Sequence, residues 1–256
     1  MAELPRPLDP RWLTLRSATP ARIGLARAGS AVTTSELLAF QRAHAEARDA
    51  VHDRLDVAPL LVGLAAQGLA SVALASAAGE RHTYLLRPDL GRRLDDTSRE
   101  SLSTLPRGHD LVFVLADGLS ARALMRHALP LLAAVLPSFR SHAWRIGPTA
   151  VVEQGRVAIG DEIGAALDAA LVAMLIGERP GLSAPDSLGV YLTWAPKPGR
   201  SDAERNCLSN IRPDGMAYAE AAQRLFHLAT EARRRKLTGV TLKDETMPTL
   251  LSGDGD

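Results

Sequence analysis

The chain has 256 residues, 46% of them hydrophobic, and 30 Lys and Arg balance 29 Asp and Glu to leave a net charge of +1. This composition excludes a disordered chain, and the charge balance provides no overall attraction to nucleic acid or membranes. Aromatic residues make up only 4% of the chain, so nucleic-acid bases would find few side chains on which to stack. The sequence therefore predicts one or two globular domains with a sizeable core.

The N-terminus and the cysteine content both predict an intracellular, cytoplasmic protein. Pro5, Pro7 and Pro10 lie beside charged residues, so the first residues lack the apolar core of a secretory signal and disfavour a sustained helix before Trp12. No apolar stretch is long enough to span a bilayer. The single cysteine cannot form an internal disulfide, which fits a reducing compartment.

The first part of the chain predicts one long helix. Thr33-Thr34-Ser35-Glu36 has the spacing of a capping box, with Glu36 placed to reach back to the Thr33 amide. Apolar residues then recur at helical intervals as far as Leu55. We therefore predict an amphipathic helix over residues 34–55, which follows a basic, glycine-bearing loop over residues 22–30.

From about Leu69 onward, short apolar runs alternate with helical patterns, which favours a layered sheet of parallel strands. The predicted strands are LVFVL (111–115), AVV near Val152, LVAMLI (171–176), LGVYLTW (188–194) and GVTL (239–242). The predicted helices begin near Ala121 (interrupted by Pro130), near Asp161 and at Tyr218. We expect an α/β fold with two parts: an N-terminal arm and helical segment over residues 1–65, and a Rossmann-like layered sheet domain over residues 66–256.

Three predicted loops lie where α/β proteins bind ligands, beyond the carboxyl ends of strands. They are ADGLSA after Leu115, EQGRVAIGD after Val152 and GERPGLS after Ile176. The glycines and proline around Glu178 favour a fixed position for its carboxylate, although an exposed ion pair with Arg179 is an alternative. The turn before Val157 leaves peptide groups free to face a ligand. These features favour a surface that holds a cofactor or a partner.

The sequence indicates a catalytic site less strongly than it indicates a binding surface. Asp117 and Ser120 could form a hydrolase site, but Ser120 also fits the N-cap of the following helix. Cys207 has a cationic neighbour in Arg205 and no evident His base, which favours a small, buried, unreactive cysteine over a catalytic thiol. The seven histidines show no metal-ligand spacing, and nucleotide-binding and GxSxG motifs are absent. The sequence therefore predicts no catalytic residue and no metal site in this chain.

Seven segments together resemble the small subunit (light chain) family of ethanolamine ammonia-lyase. They are RIGLARAGSAVTTSELLAFQRAHAEARDAVH, RPDLGRRLDD, VFVLADGLSARAL, VEQGRVAIGDEIG, GERPGLSAPDSLGVYLTW, ERNCLSNIRPDG and GVTLKDE. The resemblance runs from Arg22 to Glu245 in long ordered strings. It therefore covers nearly the whole chain.

The resemblance implies an enzyme that uses adenosylcobalamin to convert ethanolamine to acetaldehyde and ammonia. Its large subunit would be a TIM barrel that binds ethanolamine, and this chain would help to hold cobalamin at the interface between the two chains. Val157, Glu178 and Cys207 match the family's cofactor contacts. The resemblance also implies several copies of each subunit and leaves open a location in a bacterial microcompartment. A cofactor-free structural adaptor is the alternative.

The histidines bear on how cobalt is held. Some cobalamin enzymes replace the cofactor's own benzimidazole with a histidine in a D-x-H-x-x-G motif. None of the seven histidines has Asp two residues before it and Gly three residues after it. His52 comes closest, but Asp49 is three residues ahead and Leu55 stands where glycine is needed. We therefore expect base-on adenosylcobalamin with no axial ligand from this chain, as the resemblance also implies.

Overall fold

The structure is a computed structural model that describes residues 10–244. Its helices are α1 (Pro10–Ser17), α2 (Thr34–His52), α3 (Val57–Ala66), α4 (Arg81–Leu86), α5 (Asp96–Ser103), α6 (Ala121–Ser141), α7 (Ile159–Ala166) and α8 (Tyr218–Arg235). Its strands are β1 (Arg27–Ala28), β2 (Ala31–Val32), β3 (Ser71–Ala75), β4 (His109–Ala116), β5 (Thr149–Glu153), β6 (Ala169–Gly177), β7 (Leu188–Trp194) and β8 (Asn206–Ile211). Short 3-10 turns occupy Leu90–Arg92 and Asp202–Glu204.

Six strands form one mixed sheet in the order β3-β5-β4-β6-β7-β8. Strands β3 to β6 are parallel, whereas β7 and β8 each run antiparallel to the strand before them. Helices connect the parallel strands, while loops without a crossover helix join β6 to β7 and β7 to β8. Loops of this kind return the chain in the opposite direction. The predicted α/β class is confirmed, and the expectation of parallel strands holds for four of the six.

Helices cover the two faces of the sheet differently. Helices α3, α6 and α8 pack on one face, and α5 and α7 pack on the other. Strand β4 contributes to both cores, with Phe113 facing the first and Val114 facing the second. Because both faces of this strand are buried, its sequence is a continuous apolar run rather than an alternating one. Within residues 10–244, no helix is both long and apolar enough to cross a membrane.

Helix α6 corrects one expectation. The sequence predicted an interruption at Pro130, but the helix continues through both Pro130 and Pro137. Both prolines lie on the exposed side, where water can bind the carbonyls that lack a helical partner. The opposite side of the helix is buried against the sheet. This packing maintains the helix despite the two missing hydrogen bonds.

Two further expectations near the chain ends are wrong. Thr33 makes no side-chain cap, and Glu36 instead forms an ion pair with Arg16 of α1 at 3.3 Å. The GVTL segment forms turns rather than a strand, and its Leu242 is buried in the core. Helix α1 begins at Pro10, where a proline suits the first helical turn. Pro5 and Pro7 lie outside the described residues.

Candidate functional site

The three loops singled out in the sequence meet at one edge of the sheet. They follow β4, β5 and β6, whose carboxyl ends lie side by side because these strands are parallel. Asp117 accepts a hydrogen bond from the Gly155 amide at 3.1 Å, and the Leu119 amide donates to the Gly177 carbonyl at 3.0 Å. A Cβ atom on Gly118 would lie 2.3 Å from the same carbonyl. Glycine therefore allows this close approach.

Tyr191 lies at the centre of a face that includes all three predicted cofactor contacts. On β7, it is paired with Met174 of β6 and Cys207 of β8. Directly paired residues share a face of the sheet, so Tyr191 and Cys207 lie on the side covered by α7. Glu178 follows Met174 at an even spacing and therefore belongs to the same face. Helix α7 packs on β6 and leaves Tyr191 half-buried.

Glu178 has a fixed position and makes no ion pair with any residue between 10 and 244. Its Oε2 accepts a hydrogen bond from the Asn210 amide at 3.1 Å, which ties the β6–β7 loop to β8. Its Oε1 would lie 3.0 Å from a Cβ atom on Gly189, so the glycine provides room for the carboxylate. No ion pair of the described chain joins Glu178 to Arg179, which is exposed. The surface ion-pair interpretation is therefore wrong.

Cys207 is exposed, which corrects the expectation of a buried thiol. Partial burial of the thiol nevertheless raises its pKa, although a hydrogen bond with Tyr191 acts in the opposite direction. Exclusion of water also raises the pKa of Tyr191 to about 12, with contributions from Cys207 and from the charge of Glu178. A thiol with a raised pKa is protonated at neutral pH and is a poor nucleophile.

Arg205, the cation expected beside the thiol, instead binds Asp161 of α7. Its guanidinium makes two hydrogen bonds of 2.7 Å to the Asp161 carboxylate, and a third of 2.9 Å to the Thr193 hydroxyl. Both charged side chains are almost fully buried. This ion pair connects the helix that follows Val157 to the residue that precedes β8. It therefore fixes the separation between Val157 and Cys207.

Val157 and Tyr191 line one cavity of about 810 Å³. Val157 is half-buried, and it packs on the same core as α5 and α7. The structure thus brings Val157, Glu178 and Cys207 around one tyrosine. Sequence reasoning missed Tyr191, because an aromatic residue within an apolar run looks like any core residue. Tyr191 shares a sheet face with Glu178 and Cys207 because of the register between β6, β7 and β8, and the sequence does not show that register.

The hydrolase interpretation has no exposed nucleophile. Ser120 is fully buried, and its hydroxyl accepts from the Ala123 amide at 3.3 Å and donates to the Pro185 carbonyl at 3.2 Å. These contacts confirm the predicted N-cap of α6. Burial raises the pKa of Asp117 to about 6, and Arg81, 3.6 Å away, acts in the opposite direction. The Asp117 carboxylate binds the Gly155 amide rather than the serine hydroxyl.

Histidines and acidic residues form no metal-binding arrangement within residues 10–244, where no group of three or more His, Cys, Asp or Glu could hold an ion. His127 is buried in α6, with its Nδ1 2.7 Å from the Tyr218 hydroxyl. His44 and His52 are exposed on α2. None of the seven histidines lines the cavity beside Val157 and Tyr191.

These features define an α/β chain with a candidate cofactor face and without an exposed activated nucleophile on that face. Residues 9–243 match the family model described as ethanolamine ammonia-lyase light chain (EutC), and the chain belongs to this family. It is 53% identical to the ethanolamine ammonia-lyase small subunit of Pseudomonas fluorescens, over 97% of this chain and 91% of the relative. It is also 54% identical to the protein of that name from Xanthomonas campestris pv. campestris, over 95% and 91% respectively. The resemblance recognised in the sequence is confirmed.

Proposed function

We propose that this chain is the small subunit of an adenosylcobalamin-dependent ethanolamine ammonia-lyase and helps to hold cobalamin at its interface with a large, TIM-barrel subunit. One observation carries the proposal: Val157, Glu178 and Cys207, which are distant in sequence, lie around Tyr191 on one incompletely covered sheet face. The names of the relatives support a large-subunit partner, since each is called a small subunit.

The residues of this face fit the edge of a corrin. Corrin rings carry amide arms, and burying such an amide without a partner costs about 1–3 kcal/mol. Glu178 offers a fixed carboxylate to an amide NH₂ group, in the kind of hydrogen bond that a charge strengthens. Val157 and Cys207 contribute packing and backbone groups. When bound, adenosylcobalamin supplies the radical chemistry, while the protein supplies position and excludes water.

Replacing Glu178 tests the face directly. In the complex with the large subunit, Glu178→Ala is expected to weaken cobalamin binding by about 1–3 kcal/mol, because a buried amide loses its acceptor. The ethanolamine affinity should change little, since the other subunit sets it. Equilibrium titration of the complex with cobalamin measures the first quantity, and the substrate dependence of the rate measures the second.

Arg179→Ala provides the matched control, because Arg179 is the exposed neighbour of Glu178. It should leave the cobalamin affinity unchanged. Cys207→Ser should retain much of the activity, since the proposed role of Cys207 is packing. If Glu178→Ala bound cobalamin as tightly as the unmodified complex does, Glu178 would not be a cofactor contact. The cofactor-free adaptor function would be favoured if cobalamin failed to protect this chain from proteolysis in the complex.

Base-on binding of the cofactor is part of the proposal. The cavity beside Val157 contains no histidine, so this chain has no imidazole at the proposed cofactor face that could replace the benzimidazole. Electron paramagnetic resonance of the cob(II)alamin-loaded complex, prepared with nitrogen-15 histidine, provides the measurement. The axial nitrogen splitting should keep its nitrogen-14 pattern. A change to the nitrogen-15 pattern would show that a protein histidine is bound.

The remaining parts of the proposal concern organisation and location. Residues 1–65 would form an arm and helical segment, and residues 66–256 the cobalamin-contacting domain; residues 1–9 and 245–256 lie outside the described structure. The complex would contain several copies of each subunit in the cytoplasm or in a bacterial microcompartment. A pull-down with the large subunit from the same organism, followed by size analysis and an ethanolamine assay, tests the assembly.

A further inference from the structure

The cavity beside Val157 and Tyr191 contains more positive than negative charge. Its lining includes five arginines and three acidic residues: Arg92, Arg93, Arg99, Arg156, Arg200, Asp161, Glu162 and Asp202. An arginine in water needs no partner, but several arginines that share one wall repel each other unless an anion lies between them. The pairing of these side chains therefore decides whether the cavity can bind an anion.

The three acidic side chains pair with Arg205, outside the cavity lining, or with Arg99. Asp161 binds the buried Arg205 at 2.7 Å, and Asp202 lies 3.5 Å from the Nε atom of the same residue. Glu162 binds Arg99 at 2.6 Å and also accepts from the Leu94 amide. None of these carboxylates compensates Arg92, Arg93 or Arg156.

Arg200, like Arg99, is also paired, since it binds Glu204. Within residues 10–244, no ion pair includes Arg92, Arg93 or Arg156. We call these three residues the arginine wall. The Asp89 carboxylate, which pairs with Arg87, lies near enough to Arg93 for that charge to help lower the pKa of the carboxyl. In the described chain, Arg92 and Arg156 have no such neighbour in an ion pair, so the arginine wall keeps a net positive charge at the cavity.

The arginine wall is held together by the backbone. The Arg156 amide donates to the Gly91 carbonyl at 2.7 Å, which joins the loop after β5 to the turn that carries Arg92 and Arg93. The Arg156 guanidinium stacks on the Tyr84 ring, 4.1 Å from its centroid, and donates to the Tyr84 carbonyl at 3.1 Å. Its Nε is buried without a hydrogen-bond partner. Arg156 is thus oriented before any ligand arrives, while Arg92 and Arg93 are exposed.

We propose that the arginine wall is an anion subsite that binds the phosphodiester in the nucleotide loop of cobalamin. This inference rests on the proposed function. It assigns different chemical groups of the cofactor to different parts of the candidate cofactor face. Glu178 accepts from neutral amide arms at one end, the arginine wall binds the single anionic group at the other, and Tyr191 lies between them. Guanidinium groups match phosphate oxygens in paired hydrogen bonds, which makes arginine better suited than lysine to this role.

Two corrinoids distinguish this subsite from a general effect on binding. Adenosylcobalamin carries the nucleotide loop, and adenosylcobinamide lacks it together with its phosphodiester. In the complex with the large subunit, Arg156→Met should weaken adenosylcobalamin binding about 10- to 100-fold, the range expected when a charged hydrogen bond is lost. The affinity for adenosylcobinamide should remain unchanged. Added salt should weaken adenosylcobalamin binding more than adenosylcobinamide binding.

Two other variants complete the design. The Arg92→Met, Arg93→Met double variant should show the same discrimination without disturbing the fold, since both side chains are exposed. Arg107→Met is the charge-matched control, because Arg107 is exposed before β4, at the opposite edge of the sheet. This control should bind both corrinoids normally.

Equal losses for both corrinoids in Arg156→Met and in the double variant would overturn the subsite. Loss of large-subunit assembly in these variants would also overturn it, since the arginine wall would then meet an acidic surface of the partner. Failure of the unmodified complex to bind either corrinoid would instead overturn the proposed function itself. The two failures are therefore distinguishable.

Discussion

Purified alone, this chain is expected to form no acetaldehyde from ethanolamine, even with adenosylcobalamin present. The reason lies in the site: Ser120 is buried in an N-cap, and the pKa of Cys207 is raised. Within residues 10–244, no group of metal-ligating side chains supplies an alternative. Mixed with the large subunit and the cofactor, the chain should support turnover, because the proposed function places ethanolamine and the reacting groups on the partner.

Acetaldehyde formation, followed with a coupled alcohol dehydrogenase, measures this dependence. The controls are each subunit alone and the mixture without cofactor, all of which should give only the background rate. The Glu178→Ala complex, saturated with adenosylcobalamin, should still turn over, since Glu178 is proposed to act in binding. Ethanolamine deamination by the isolated chain would contradict the assignment and would require a catalytic group that the face around Tyr191 does not show.

Asp161→Ala is expected to reduce the free energy of unfolding by about 3–5 kcal/mol, because it leaves the buried Arg205 guanidinium without its carboxylate. Only 1% of the Arg205 side chain and 2% of the Asp161 side chain are exposed, so solvent screens their interaction weakly. Burial by itself opposes the charge on Arg205, yet the hydrogen bonds and charge of Asp161 raise its pKa. Urea unfolding followed by circular dichroism gives the free energy.

A double variant separates the charge effect from the packing effect. Asp161→Leu combined with Arg205→Met replaces both charges with apolar groups and should recover most of the lost stability. Asp89→Ala is the control, since it removes an exposed ion pair with Arg87 and should change stability little. If Asp161→Ala unfolded at the same urea concentration as the unmodified chain, the ion pair would not stabilise the fold.

Corrinoid binding gives this ion pair a second readout. Asp161 lies on the helix that follows Val157, and Arg205 precedes the strand that carries Cys207. Asp161→Ala should therefore weaken the binding of both adenosylcobalamin and adenosylcobinamide, unlike a change in the arginine wall. This pattern would identify the Asp161–Arg205 pair as a positioning element for the face.

Local sequence signals determined several elements of this protein without help from the fold. The apolar runs of β4 and β6 predicted buried strands, and helical periodicity predicted α2 to within a few residues. Ser120 was predictable as an N-cap because the bond joins its side chain to an amide three residues away. Such patterns involve residues within one helical turn or one strand, so they can be recognised in the sequence without knowledge of the fold.

Other features depend on contacts between distant residues. Pro130 remains within α6 because the buried side of that helix packs on the sheet, and Glu36 binds Arg16 rather than capping its own helix. No local pattern contains either partner, so the sequence predicted the wrong outcome at both positions.

Some features of the candidate site were also predictable from the sequence, and others depend on contacts between distant residues. Family resemblance alone indicated that Val157, Glu178 and Cys207 contact the cofactor, whereas the glycines around the first two already marked their loops as places where a ligand could bind. The meeting of Glu178 and Cys207 around Tyr191 required the antiparallel pairing of β6, β7 and β8, because a shift of one residue would turn each side chain to the other face. The arginine wall likewise depends on contacts between residues that are distant in the sequence. The sequence shows where the arginines are, but only the tertiary structure determines which of them find a carboxylate, because charge pairing depends on distance in space.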